Sequence, residues 1–137
     1  MSIAVIYTDL DGTLLDHHTY SFEAALQTVH ALRDRGIPIV PCTSKTRAET
    51  AELMNAVGLF GPMIVENGAA IWVPNNWDLS RPAGATDTRE AWCHSFGPSR
   101  GMIRRQLAVL NVEWGNRYQS LCDLSDKQVM SLSLIHI

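Results

Sequence analysis

Ile3-Ala4-Val5-Ile6-Tyr7-Thr8-Asp9-Leu10-Asp11-Gly12-Thr13 begins as an apolar, β-branched run and ends in two carboxylates and a glycine. Ile3 to Tyr7 has the composition of a short strand buried on both faces. Asp9-Leu10-Asp11-Gly12 stops it with turn-forming residues. Beyond the turn, Phe22, Leu26, Val29 and Leu32 recur at helical spacing, Ser21 can cap the start, and Arg33, Arg35 and Gly36 suit the end. Ile37 to Cys42 is a second compact apolar run. It reads as a strand, provided that Pro38 and Pro41 sit at its ends or at an irregularity. Thr46 to Val57 is helical in pattern, with Ala48, Ala51, Leu53, Met54 and Val57 apolar and Gly58 as terminator. Met63 to Glu66 is a third strand, and Asn67-Gly68 ahead of Ala69 to Val73 predicts a hairpin. Strand, helix, strand, helix, strand is the order of a doubly wound, Rossmann-like parallel α/β sheet, whose ligands gather at the carboxyl ends of the strands. Asp9 and Thr43 both fall at such ends.

The composition excludes several alternatives. In 137 residues, 46% are apolar and 18% charged, which is a globular mix and not that of a disordered tail or a membrane bundle. A net charge of −3 gives no electrostatic reason to expect nucleic acid or anionic lipid as partner. No segment approaches the length of a membrane span, and Met1 to Tyr7 is too short for a signal sequence, so it reads as mature protein. Cys42, Cys93 and Cys122 lack C-x-x-C spacing, which argues against a disulfide framework and a zinc site. A reducing cytoplasm is the expected compartment. His17 and His18 have no spaced metal-ligand partners, and Trp72, Trp77, Trp92 and Trp114 are expected to pack in the body of the protein.

Two carboxylates beside a glycine at a strand tip admit three readings. The plainest is a solvated turn. A calcium loop would need glycine at its sixth position, where Leu14 stands, and a helix before it, where a strand is read. Phosphoryl transfer needs a nucleophile in line with the leaving oxygen, positive charge at the equatorial oxygens and a proton for the departing alkoxide. Asp9-Leu10-Asp11-Gly12-Thr13 resembles the first motif of the haloacid dehalogenase superfamily, D-x-D-G-T, in sequence and in placement after a strand. The resemblance implies that Asp9 is the nucleophile of an aspartyl-phosphate mechanism and that Asp11 is the acid and base. It further implies Mg2+ held by the Asp9 carboxylate and the Asp11 carbonyl, with Gly12 opening backbone amides towards the phosphate.

Cys42-Thr43-Ser44-Lys45-Thr46 stands at the end of the second strand, where a hydroxyl and the first amides of a helix suit a phosphate oxygen. In the resemblance this is the second motif, with Thr43 as the matching residue and Ser44 beside it. Thr43, Ser44 or Thr46 can equally cap the helix, and the two roles are compatible. T-S-K-T-R-A-E resembles the mannosyl-3-phosphoglycerate phosphatase branch. Lys45 then meets an anionic part of the substrate, or it is an exposed helix-start lysine; Arg47 reads as a surface residue. Val65-Glu66-Asn67-Gly68-Ala69-Ala70-Ile71 is similar to the segment that precedes the cap insertion in relatives with a large α/β cap. Asn67 is a turn residue there, with substrate contact as a second possibility.

The resemblance implies a magnesium-dependent phosphatase of a phosphorylated sugar or sugar acid, best matched by mannosyl-3-phosphoglycerate. Another sugar phosphatase, a phosphomutase or a non-catalytic phosphate-binding fragment are the alternatives. Residues 1–73 are expected to be the first part of the core. Residues 74–131 are expected to begin the α/β cap, with loops marked by Pro74, Asn75, Asn76, Pro82 and Gly84 and a helix from about Ser99 to Leu110. The superfamily's third-motif lysine and fourth-motif acidic pair find no match in the chain, and Lys127 falls within the cap stretch. Magnesium affinity and turnover of the chain alone are therefore expected to be poor. Residues 132–137, Leu-Ile-His-Ile at their end, suit a translated sequencing adapter, a hypothesis that the codons of the underlying DNA test directly.

Overall fold

The computed structural model describes residues 4–132. In chain order it contains β1 (Ile6–Thr8), α1 (Glu23–Asp34), β2 (Ile39–Pro41), α2 (Arg47–Val57), β3 (Met63–Val65), β4 (Ala70–Pro74), β5 (Thr86–Asp87), β6 (Ala91–Ser95), α3 (Arg100–Trp114) and α4 (Asp126–Leu132). The chain forms two compact units, one ending at Gly97 and the other starting at Pro98.

In the first unit β1 and β2 pair in parallel, Ile6 opposite Ile39 and Thr8 opposite Pro41. β3 joins the other side of β2 in parallel through a single bridge, Cys42 to Ile64. The prolines explain why that ladder is so short. Ile6 N–H donates to the Pro38 carbonyl and Cys42 N–H to the Thr8 carbonyl, so even-numbered residues of this strand face β1. Thr43 N–H donates to the Ile64 carbonyl, so odd-numbered residues face β3. Pro41 is odd and has no N–H, and one rung towards β3 is therefore missing.

Local chemistry sets the helix limits. The Ser21 hydroxyl accepts from the Glu23 N–H at 3.2 Å. α1 ends in a Schellman arrangement, with Gly36 at φ 67° and its N–H on the Arg33 carbonyl, while Ile37 N–H reaches Leu32. α2 opens on a capping box in which Thr46 and Glu49 exchange side-chain-to-backbone bonds, and it closes at left-handed Gly58.

α1 and α2 cover one face of the parallel strands. Val29, Ile39, Met54, Val57 and Leu59 form the buried cluster there, with Ile6, Leu26 and Met63 against it. The opposite face is more open than the strand composition predicts: Val5 is exposed and Tyr7 is 64% exposed. They line a concavity with Val40, Ile64, Ile71, Val73, Trp77 and Leu79. Burial on both faces needs a layer on each, and here the helices supply only one.

β3, β4, β6 and β5 form an antiparallel sheet in that order. β3 and β4 make the hairpin expected from Asn67-Gly68, but the link is a 3-10 turn at Glu66–Gly68 and not a two-residue turn. β6, an unforeseen strand, pairs along the whole of β4, so the sheet carries the chain past residue 73. Of the tryptophans of this unit, Trp92 is buried, and Trp77 lies against Gly61.

In the second unit, α3 begins where Ser99 accepts from the Met102 N–H and runs past Leu110 to left-handed Gly115. Its apolar side chains stay out of any core, and Trp114 is 52% exposed where packing was expected. Residues 133–137, the last five of the suspected adapter tail, lie outside the described residues.

Candidate active site

The three parallel strands end side by side, and hydrogen bonds continue the pairing past their ends. Cys42 N–H donates to Thr8 at 2.7 Å, Thr43 N–H to Ile64 at 3.0 Å and Asn67 N–H to Thr43 at 3.0 Å. Asp9 directly follows β1, Thr43 follows β2 by two residues, and Asn67 follows β3. This is where an open α/β sheet gathers ligands. Asp9, Cys42, Thr43, Ser44, Ile64, Asn67 and Gly68 line one cleft of about 390 Å³.

Asp9 is exposed, and one of its carboxylate oxygens accepts from the Leu10 N–H at 2.8 Å. Its charge reaches across the cleft: burial pushes the Cys42 thiol pKa up, and the negative Asp9 adds to the effect. Thr43 is 5% exposed, and its hydroxyl accepts from the Lys45 N–H at 3.1 Å. Thr46 caps α2, so the capping role divides from the cleft: Thr46 serves the helix, and Thr43 lines the concavity. Gly12 sits third in a turn closed by Thr13 N–H on the Leu10 carbonyl, at a φ of 73° that suits glycine.

Asp11, Gly12 and Lys45 do not line the Asp9 cleft. Instead the Lys45 ammonium lies 2.9 Å from an Asp11 carboxylate oxygen. The hydrogen bond to Asp11 raises the Lys45 pKa, opposed by burial, and the negative charges of Asp11 and Glu49 work in the same raising direction. Lys45 thus meets a carboxylate of the chain itself, where the sequence reading has it meet an anionic part of the substrate or stand exposed at the helix start. Arg47 is exposed as expected, with its guanidinium stacked 4.4 Å from the Trp72 ring centre.

The sequence left four contributors unmarked. Cys42, Ile64 and Gly68 line the cleft, and only the adjacency of Cys42 to Thr43 and of Gly68 to Asn67 hinted at it. Tyr20 lies over the Lys45 ammonium at 5.9 Å, on a left-handed φ of 55° that no local signal announces.

Among the described residues, no group of three or more His, Cys, Asp or Glu converges as a metal site. The Asp9 carboxylate and the Asp11 carbonyl are hard oxygen donors of the type Mg2+ takes, and two of them leave most of an octahedral shell to water and ligand. Among the same residues, no helix is long and apolar enough to cross a membrane.

A parallel sheet with carboxylate, hydroxyl and amide gathered at its strand ends is the ligand-binding edge of an open α/β protein, and comparison with known proteins gives it a family. Residues 6–85 match the family model of the haloacid dehalogenase-like hydrolases, and the chain belongs to that family. It is 47% identical over 125 residues to a glucosyl-3-phosphoglycerate/mannosyl-3-phosphoglycerate phosphatase of Methanococcoides burtonii, across 91% of this chain and 46% of the relative. A protein of the same name from Persephonella marina is 47% identical over 73 residues, 53% of this chain and 27% of the relative. The chain thus spans less than half the length of these curated relatives. A solved phosphatase of the haloalkanoate (HAD) enzyme superfamily from Bacteroides thetaiotaomicron shares the fold, with a TM-score of 0.54 at 23% identity over 82% of this chain and 36% of its own.

Proposed function

We propose that the chain carries the nucleophile side of a phosphomonoester hydrolase acting on a phosphorylated sugar or sugar acid, mannosyl-3-phosphoglycerate or its glucosyl counterpart. One observation carries the reading: Asp9 and Thr43, at the ends of adjacent parallel strands, open onto one cleft. The 47% identity to phosphatases named for these substrates supports the substrate class.

In the proposed reaction an Asp9 carboxylate oxygen attacks phosphorus, the ester P–O bond breaks, and Asp11 gives its proton to the departing sugar oxygen. Water then attacks the phosphorus of the Asp9 acyl phosphate. Asp11 takes a proton from that water, the Asp9–phosphorus bond breaks, and inorganic phosphate leaves. Thr43 and Ser44 donate from hydroxyl and backbone to the phosphate oxygens, with Asn67 beside Thr43 and the Gly12 turn fixing the direction of Asp11. The Asp9 carboxylate and the Asp11 carbonyl would hold Mg2+, which supplies positive charge against the transferring group. Residues 1–73 supply the core in this reading, and 74–131 begin the cap that selects the sugar. The three free cysteines suit a reducing cytoplasm.

Titration of the 15N-labelled chain with inorganic phosphate and Mg2+ tests the location. The expected amide shifts fall on Leu10, Thr43, Ser44, Asn67 and Gly68. Shifts confined to other residues would refute the reading.

A further inference from the structure

Four ion pairs occur among the described residues, and Lys45–Asp11 is the most shielded of them, with Lys45 only 21% exposed. It is also the pair that joins two different strand-end loops. Lys45 is held at both ends of its peptide unit. Its N–H donates to the Thr43 hydroxyl at 3.1 Å, and its carbonyl accepts from the Glu66 N–H at 3.0 Å. Tyr20 covers the ammonium, and the Tyr20 loop is itself fastened: the Asp16 carboxylate accepts from the His18 and Thr19 amides, and the Asp16 carbonyl accepts from Tyr20 N–H. One side chain therefore ties the loop after β1 to the loop after β2, which is in turn bonded to the turn after β3.

The surroundings of Lys45 disfavour an anion. It lines a separate concavity together with Glu49 and Glu52, whose charges oppose a phosphate or a carboxylate there. Its one close charged partner is Asp11. We infer that Lys45 is a positioning residue, which fixes the Asp11 carboxylate relative to the Asp9 cleft and acts on the reaction through Asp11 without touching the substrate's anionic group. The functional half of this inference rests on the proposed phosphatase reading; the latch between the loops does not.

A double-mutant cycle tests both halves on the full chain, with wild type, Lys45→Met, Asp11→Asn and the double variant. In the presence of Mg2+, Lys45→Met should weaken beryllofluoride binding about three- to tenfold. The same change should cost nothing further in the Asp11→Asn background, and Lys45→Arg should recover most of the loss. An equal loss in both backgrounds would mean that Lys45 touches the anion directly, and no loss in either would mean that it does nothing; both overturn the inference. If wild type binds no beryllofluoride even at saturating Mg2+, the phosphatase reading fails, and amide exchange in the ligand-free chain still decides the latch. Thr13 and Leu15 amides should then exchange about threefold faster than wild type in each single variant, and in the double variant at the same rate as in the singles. Unchanged or additive exchange overturns the latch as well.

Discussion

The Asn67 N–H donates to the Thr43 carbonyl at 3.0 Å, so the turn after β3 and the cleft loop after β2 form one piece of backbone. That turn places Glu66, Asn67 and Gly68 in succession at positive φ, with Gly68 at 83°. A Cβ on Gly68 meets nothing within 4 Å, so the cost of Gly68→Ala is backbone strain alone, about 1 kcal/mol. Gly61 differs, because a Cβ there would lie 2.7 Å from the Trp77 ring. Gly61→Ala should cost about 2 kcal/mol or more. Urea unfolding of both variants checks the order, and a Gly68→Ala penalty above that of Gly61→Ala would contradict it.

Thr46→Ala removes the capping box of α2 and should destabilise the chain by about 1 kcal/mol. The loss should depend on pH. Hydrogen bonds from the Thr46 side chain and backbone hold Glu49 below its ordinary value of 4.5. A lowered folded pKa means that the carboxylate's contribution is complete above the unfolded value and fades as pH falls through the folded one. The difference between wild type and Thr46→Ala should therefore be constant near pH 7 and shrink below about pH 4.5. Denaturant midpoints measured across that range decide it; a gap that widens in acid would be the wrong sign.

Thr43→Val keeps the shape of a side chain that is almost fully buried and removes its hydroxyl. If the hydroxyl meets a phosphate oxygen, inorganic phosphate should bind about fivefold to tenfold more weakly while the chain stays folded. Calorimetric titration measures the affinity, and circular dichroism the fold. Unchanged affinity would reduce Thr43 to a wall of the cleft.

The chain by itself should hydrolyse mannosyl-3-phosphoglycerate slowly. In the proposed reading Asp9 and the Asp11 carbonyl are the ligands offered to Mg2+, and no acidic cluster converges beside them among the described residues. Phosphate release followed with and without excess Mg2+ is the check, and fast, saturable turnover would show that the ligand count is wrong.

The features legible from sequence were those encoded locally. β1, β2 and β3 announce themselves as short apolar runs, α2 carries both its cap and its terminating glycine within a dozen residues, and the Asp9–Gly12 turn is contiguous. What stayed hidden depends on distant partners. β6 reads Ala-Trp-Cys-His-Ser, with no clean alternation, and becomes a strand because β4 pairs with it. The four-residue link of the hairpin, with Glu66 left-handed at φ 53°, follows from the backbone bonds to Thr43 and Lys45, whereas Asn-Gly alone suggests a tighter turn. Lys45 and Asp11 stand far apart in the chain, and only the closure of β1 against β2 brings their charges together.

In the proposed reaction the Asp9 carboxylate is aimed at phosphorus. Fluorine NMR of the chain with beryllofluoride and Mg2+ tests it most directly, because that adduct forms on a carboxylate nucleophile and needs no turnover. Wild type should give a bound signal that requires Mg2+ and disappears in Asp9→Asn, while Asp11→Asn retains a weakened one. A bound signal that persists unchanged in Asp9→Asn would place the nucleophile elsewhere.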